Sequence, residues 1–140
     1  ERTLDIARQA YADSGIAVEL APFIEDMAAA YAWADLVVCR AGALTVAELC
    51  AAGLPAIFVP YPAAVDDHQT ANATPMATAG AAIIVQESEL TAASLAEVLR
   101  DWLASRDKLA ARAGKARALA APDSLQRIAS ICLQQAGAMT

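Results

Sequence analysis

An α/β fold is predicted: an open parallel sheet with helices on both faces, truncated on its amino-terminal side and followed by a helical tail. Three observations carry this expectation. Short apolar runs at residues 36–39 (LVVC), 56–59 (AIFV) and 81–85 (AAIIV) alternate with helical patterns, the signature of βαβ units. Each run is continuously apolar rather than alternating, as parallel strands buried on both faces are. Beyond residue 85 the β signal stops and only helical periodicity remains.

Taken in order, Leu4, Ala7, Ala10 and Tyr11 are spaced for an amphipathic helix ending near Gly15. Because the chain opens inside a helix, the strand that should precede it is expected to lie outside the chain. Residues 16–20 read as a short strand, and residues 24–33, after Pro22, as a helix. The run at 36–39, bounded by Asp35 and the loop around Gly42, reads as a buried strand. A helix over 46–52 follows and is stopped by Gly53 and Pro55. The strand at 56–59 leads through Pro60 and Pro62 to a helix over 69–79, then to the strand at 81–85. In the tail, Leu95, Val98, Leu99, Trp102 and Leu103 form one helical stripe. A second helix is expected over 107–119, and Leu125, Ile128, Ala129 and Cys132 mark a third after Pro122.

Composition narrows the function classes. The chain has 140 residues, the length of one domain, and residues 1–140 are read as one. More than a quarter of it is alanine, so the 58% hydrophobic content reflects small helix formers rather than a greasy surface. The longest apolar stretch, 51–65, is broken by Pro55, Pro60 and Pro62, and no run reaches the roughly 18 residues of a membrane span. A net charge of −6 with scattered basic residues excludes a nucleic-acid face. Arg and Lys gather only between residues 100 and 117, at the spacing of a solvated helix face. Cys39, Cys50 and Cys132 are odd in number and without a CxxC pair, so they read as reduced, mostly buried cytosolic thiols. The chain begins with Glu1 rather than Met and shows no signal-peptide pattern, which reads as a piece of a longer protein.

In open parallel sheets ligands bind beyond the carboxyl ends of the strands. That rule points to three loops: residues 22–26, 40–45 and 60–69. In the middle one Gly42 would allow close backbone approach, and Thr45 is placed to start a helix whose free N–H groups suit a phosphate. Thr45-x-x-Glu48 is equally a capping box, which needs no ligand. In the third loop Asp66, Asp67, His68, Gln69 and Asn72 concentrate polarity. Asp66 or Asp67 could simply cap the next helix, and a single His beside two adjacent Asp residues does not make a metal site. His68 could serve as an acid or base by residue type. Gln69 and Asn72 lie one helical turn apart, so both amides can face one polyhydroxylated ligand. In the first loop Phe23 and Ile24 could pack in the core or form a hydrophobic staple, or could offer a platform to a flat base.

Four segments follow one another along the chain: FIEDMAAAYAWAD at 23–35, CRAGALTVAE at 39–48, AGLPAIFVP at 52–60 and DDHQTANA at 66–73. In this order and spacing they resemble the carboxy-terminal half of the MurG family, bacterial N-acetylglucosaminyltransferases that make lipid II. The resemblance implies the two-domain GT-B architecture, with this chain as part of the Rossmann-like carboxy-terminal donor domain. It implies inverting transfer of N-acetylglucosamine from UDP-GlcNAc to the 4-hydroxyl of the muramoyl sugar of lipid I, without cofactor or catalytic metal. Peptidoglycan synthesis, and with it cell-wall biogenesis, cell shape and cell division, would be the setting. By position, the backbone of Ile24 would bond the uracil with Phe23 and Met27 near it. The turn of Gly42, Ala43, Leu44 and Thr45 would hold the diphosphate, and Glu48 the ribose hydroxyls. His68, Gln69 and Asn72 would surround the donor sugar, and Arg40 would stand beside the donor site. An arginine and a helix N-terminus together suit the charge that grows on departing UDP.

Ala63 departs from the family, which often has His there. The amino-terminal domain, with the lipid I site and the expected catalytic base, lies outside this chain, so no catalytic residue is assigned and the chain alone should not catalyse transfer. The whole protein would sit peripherally on the cytoplasmic face of the bacterial inner membrane. Another GT-B enzyme using UDP-GlcNAc, a UDP-GlcNAc 2-epimerase, or a non-catalytic nucleotide-sugar-binding module are the alternatives.

Overall fold

The computed structural model describes residues 2–137, with the side chains of Arg2, Thr3 and Val65 outside the description. The chain divides into two units, residues 1–33 and 34–140. The first contains helices α1 (Arg2–Ser14) and α2 (Met27–Trp33). Helix α1 stops where expected, at Gly15, which takes a left-handed φ of 68°. Helix α2 starts three residues later than the apolar spacing suggested. Asp26 decides this: its carboxylate accepts the Ala29 N–H at 2.8 Å, capping the first turn. The strand expected at residues 16–20 does not form. A strand persists only when its backbone groups pair with a neighbour, and among the described residues this stretch has no ladder partner.

The second unit is built on the parallel sheet. Its strands are β1 (Val37–Cys39), β2 (Ala56–Phe58) and β3 (Ala82–Ile84), in the order β1-β2-β3. Val38 pairs with Ile57, and Ile57 with Ile83. The ladder continues one step past the strands, with Val59 N donating to Cys39 O at 2.8 Å and Val85 N to Phe58 O at 2.9 Å. Helices α3 (Ala43–Ala52) and α4 (His68–Thr78) are the two crossovers. They touch each other, as successive crossovers of one hand must when strands are added in one direction. The central strand holds the core: Ala56, Ile57 and Phe58 are fully buried, as are Leu49 of α3 and Met76 of α4.

Helices α5 (Ala92–Leu103), α6 (Arg106–Ala118) and α7 (Ser124–Gly137) make the tail. Helix α5 opens with a capping box: Thr91 Oγ1 accepts from Ser94 N at 3.1 Å and Ser94 Oγ from Thr91 N at 2.9 Å. Trp102 buries its ring under the Arg112 guanidinium, 4.3 Å from the ring centre, and thereby joins α5 to α6. Helix α6 in turn packs on α3, and its Leu109 and Ala116 are buried. The stripe expected on α7 is present but unburied, since Leu125, Ile128 and Ile131 are exposed. Cys132 is exposed with them, against the expectation of buried thiols, which holds for Cys50 and partly for Cys39.

Candidate functional site

The loops that follow β1, β2 and β3 all leave the same end of the sheet, because parallel strands share a direction. The loop after β1 is only three residues long, Arg40, Ala41 and Gly42, and runs straight into α3. Gly42 is the N-cap, with φ −63° and ψ 144°. These are ordinary extended dihedrals, and a Cβ there would meet only Thr45 Oγ1 at 3.7 Å. The backbone here therefore does not itself require glycine. The capping box expected from Thr45 and Glu48 is also absent. The helix begins at Ala43, so Thr45 lies within the first turn, and the N-cap is Gly42, which makes no side-chain cap bond. Ala43 and Leu44 are good helix formers and let the helix start earlier than the Thr suggested. The consequence is a first turn whose N–H groups lack intrahelical partners and whose residues face solvent, Leu44 being 80% exposed.

Helix α4 reaches across to this turn. Gln69 Oε1 accepts from Ala41 N at 3.2 Å and from Tyr61 N at 3.0 Å, one backbone N–H from each of two loops. Asn72 Nδ2 donates to Ala41 O at 3.1 Å. The peptide groups of fully buried Ala41 are thus held on both sides by amides one helical turn apart. Gln69 and Asn72 were expected to face a ligand together; the structure shows both gripping backbone.

Two consecutive left-handed residues, Asp66 (φ 52°) and Asp67 (φ 50°), swing the chain into α4 and put Gln69 in reach. Such φ values are uncommon outside glycine, with Asp among the residues that tolerate them. Asp67 occupies the N-cap position, as one expectation had it, but makes no side-chain cap bond.

Arg40 joins all three loops. Its Nη1 donates to Val59 O at 3.1 Å and Pro60 O at 2.9 Å, its Nη2 pairs with Glu87, and its guanidinium stands 5.5 Å from the Tyr61 ring centre. Glu87 escaped the reading of the sequence. It lies in the loop after β3, and the rule that picked out the other strand-end loops applied there equally.

Beside α3 runs a groove of about 1030 Å³, lined by Ala43, Glu48, Asn72, Met76 and Arg117 together with the segment that leads into α7. The second unit thus brings Arg40, the 42–45 turn, Glu48, Gln69 and Asn72 to one region, with exposed His68 at the start of α4. Phe23, Ile24 and Met27 belong to the first unit, where all three are exposed, so the core-packing alternative for Phe23 and Ile24 fails. Cys39, at the end of β1, has its thiol pushed up from the usual 9.0 to about 11 by burial, and burial raises Cys50 as well. No three of His, Cys, Asp and Glu gather to hold a metal ion among the described residues. Nor, among them, is any helix long and apolar enough to cross a membrane.

Fold and site define an α/β domain of the open parallel type with its polar groups at the carboxyl ends of the strands. The chain belongs to the glycosyltransferase family 28 C-terminal domain family, whose model matches residues 2–128. It is 58% identical over 136 residues to a protein of Alkalilimnicola ehrlichii and 53% identical over 136 residues to one of Marinobacter nauticus. Both are named UDP-N-acetylglucosamine–N-acetylmuramyl-(pentapeptide) pyrophosphoryl-undecaprenol N-acetylglucosamine transferase. Each match takes in 97% of this chain and 38% of the relative, so the chain spans under two fifths of their length. The crystal structure of Acinetobacter baumannii MurG superposes with a TM-score of 0.89 at 44% identity, covering 96% of this chain and 41% of that one. The expected resemblance and the open parallel α/β fold are both borne out.

Proposed function

We propose that this chain supplies the UDP-GlcNAc site of a MurG-type transferase that converts lipid I to lipid II, and that it is inactive alone. The observation that carries the reading is that the α3 start, Glu48 and Asn72 line one groove in a family 28 domain. The first-turn N–H groups and dipole of α3 would receive the diphosphate. Glu48 would accept two ribose hydroxyls in charge-assisted bonds, and His68, Gln69 and Asn72 would border the donor sugar. Phe23, Ile24 and Met27 are assigned the uracil. Arg40, held by two carbonyls and Glu87, would act on the diphosphate through its field rather than as a free clamp. The acceptor domain, lipid I and the cytoplasmic membrane surface belong to the whole protein.

Titration calorimetry tests this. The folded chain should bind UDP-GlcNAc more tightly than ADP-glucose, equally well with magnesium or EDTA, and should release no UDP with a lipid I analogue. Equal affinity for the two nucleotide sugars would sink the donor assignment. Turnover by the chain alone would sink the claim that the acceptor site lies elsewhere.

A further inference from the structure

We infer that Gln69 and Asn72 are positioning residues that set the start of α3 by gripping the peptide groups of Ala41, whatever else they touch. This rests on the donor-site reading above for its functional consequence, and on geometry alone for the grip itself. The amide orientations are not arbitrary. Both partners of Gln69 are N–H groups, so the atom facing them must be its oxygen. The partner of Asn72 is a carbonyl, so the atom facing it must be its nitrogen. Ala41 immediately precedes the N-cap Gly42, so its two peptide planes fix the direction in which the first turn of α3 points. Tyr61 N on the same Gln69 oxygen ties the loop after β2 to the same frame.

The N-cap of α3 is a glycine and makes no side-chain cap bond of its own. Ala41 is fully buried, and an unmet buried N–H is costly. Without the grip the turn would populate other orientations. Affinity for whatever anion it receives would then fall by the lost fraction of competent molecules. The effect therefore lands on the diphosphate end of a donor, although the two side chains were expected at the sugar end. That difference makes the inference testable.

The 140-residue chain is compared with Gln69→Ala and Gln69→Glu. Hydrogen exchange is read at the Ala41 and Tyr61 amides, and calorimetry is run with UDP, which lacks the N-acetylglucosaminyl group those side chains were expected to border. Gln69→Ala should speed exchange at both amides by at least about tenfold and weaken UDP about tenfold. Gln69→Glu keeps an oxygen acceptor and should keep both amides slow. Unchanged exchange in Gln69→Ala overturns the grip. Faster exchange with unchanged UDP affinity overturns its role in positioning the anion site. If the parent chain binds no UDP, the donor reading fails while the exchange experiment still decides the grip. Should Gln69→Ala not fold, Asn72→Ala, which removes the bond to Ala41 O, must weaken UDP in the same way, and unchanged UDP affinity in that variant overturns the positioning role.

Discussion

Helix α3 carries the candidate anion site at its start, and its other end is held by a contact that one methyl group should disturb. Gly53 ends the helix in the left-handed region, φ 70° and ψ 43°, with its N–H bonded to Cys50 O at 3.1 Å. Arg117 of α6 lies over this end, its Nη1 donating to Ala51 O and its Nη2 to Ala52 O at 2.8 Å. A Cβ on Gly53 would sit 2.9 Å from Arg117 Nε. Gly53→Ala therefore carries two costs. The left-handed backbone costs an L-residue about 1–2 kcal/mol. Displacing an exposed guanidinium from two carbonyls adds about 0.5–1 kcal/mol, at the low end for such bonds because water competes. The sum is about 1.5–3 kcal/mol. For 140 residues that is a fall in Tm of about 5–10 °C. Urea unfolding followed by circular dichroism should show the midpoint falling with an unchanged slope. In an Arg117→Ala background only the backbone part should remain. A loss below about 0.5 kcal/mol in the parent background, or the same loss with and without Arg117, would refute the clash and leave the helix end held by something else.

Three further outcomes are expected. Glu48→Gln should weaken UDP-GlcNAc by about 10–100-fold, the scale of a charged acceptor lost, while stability moves by less than about 0.5 kcal/mol because Glu48 is exposed; unchanged affinity would remove Glu48 from the donor site. Arg40→Ala should cost about 1–2 kcal/mol in urea unfolding and Glu87→Ala less than about 1, since the half-exposed ion pair contributes little beside the carbonyl bonds; equal losses would mean that the ion pair, not the carbonyls, anchors the arginine. At pH 8 a thiol reagent should label exposed Cys132 well before Cys39 and Cys50. Because the Cys39 thiol is raised from 9.0 to about 11, its contribution to stability is full below pH 9 and lost as pH rises through 11. Cys39→Ala should flatten that alkaline loss, and an identical pH profile would contradict it.

Much of this domain was legible in local sequence. The runs LVVC, AIFV and AAIIV announced three buried parallel strands because burial on both faces demands uninterrupted apolar residues. Gly15 and Gly53 announced helix ends because only glycine adopts left-handed φ cheaply. The strand at 16–20 and the capping box at Thr45 were misjudged for one shared reason. Each depends on where backbone groups find partners, and a residue run does not name its partner. Glu87 went unnoticed because its importance lies in an arginine 47 positions earlier in the chain.

The division follows from the range of the forces involved. Periodicity and backbone preference act within a few residues, so the sequence by itself determined the order of strands and helices, the parallel sheet, and the polar content of the strand-end loops. Hydrogen bonds between segments far apart in the chain are chosen only when packing brings them to within about 3 Å. Tertiary structure therefore decided that Gln69 and Asn72 grip Ala41, that Arg40 is shared among three loops, and that α3 begins at Ala43 with its first turn open.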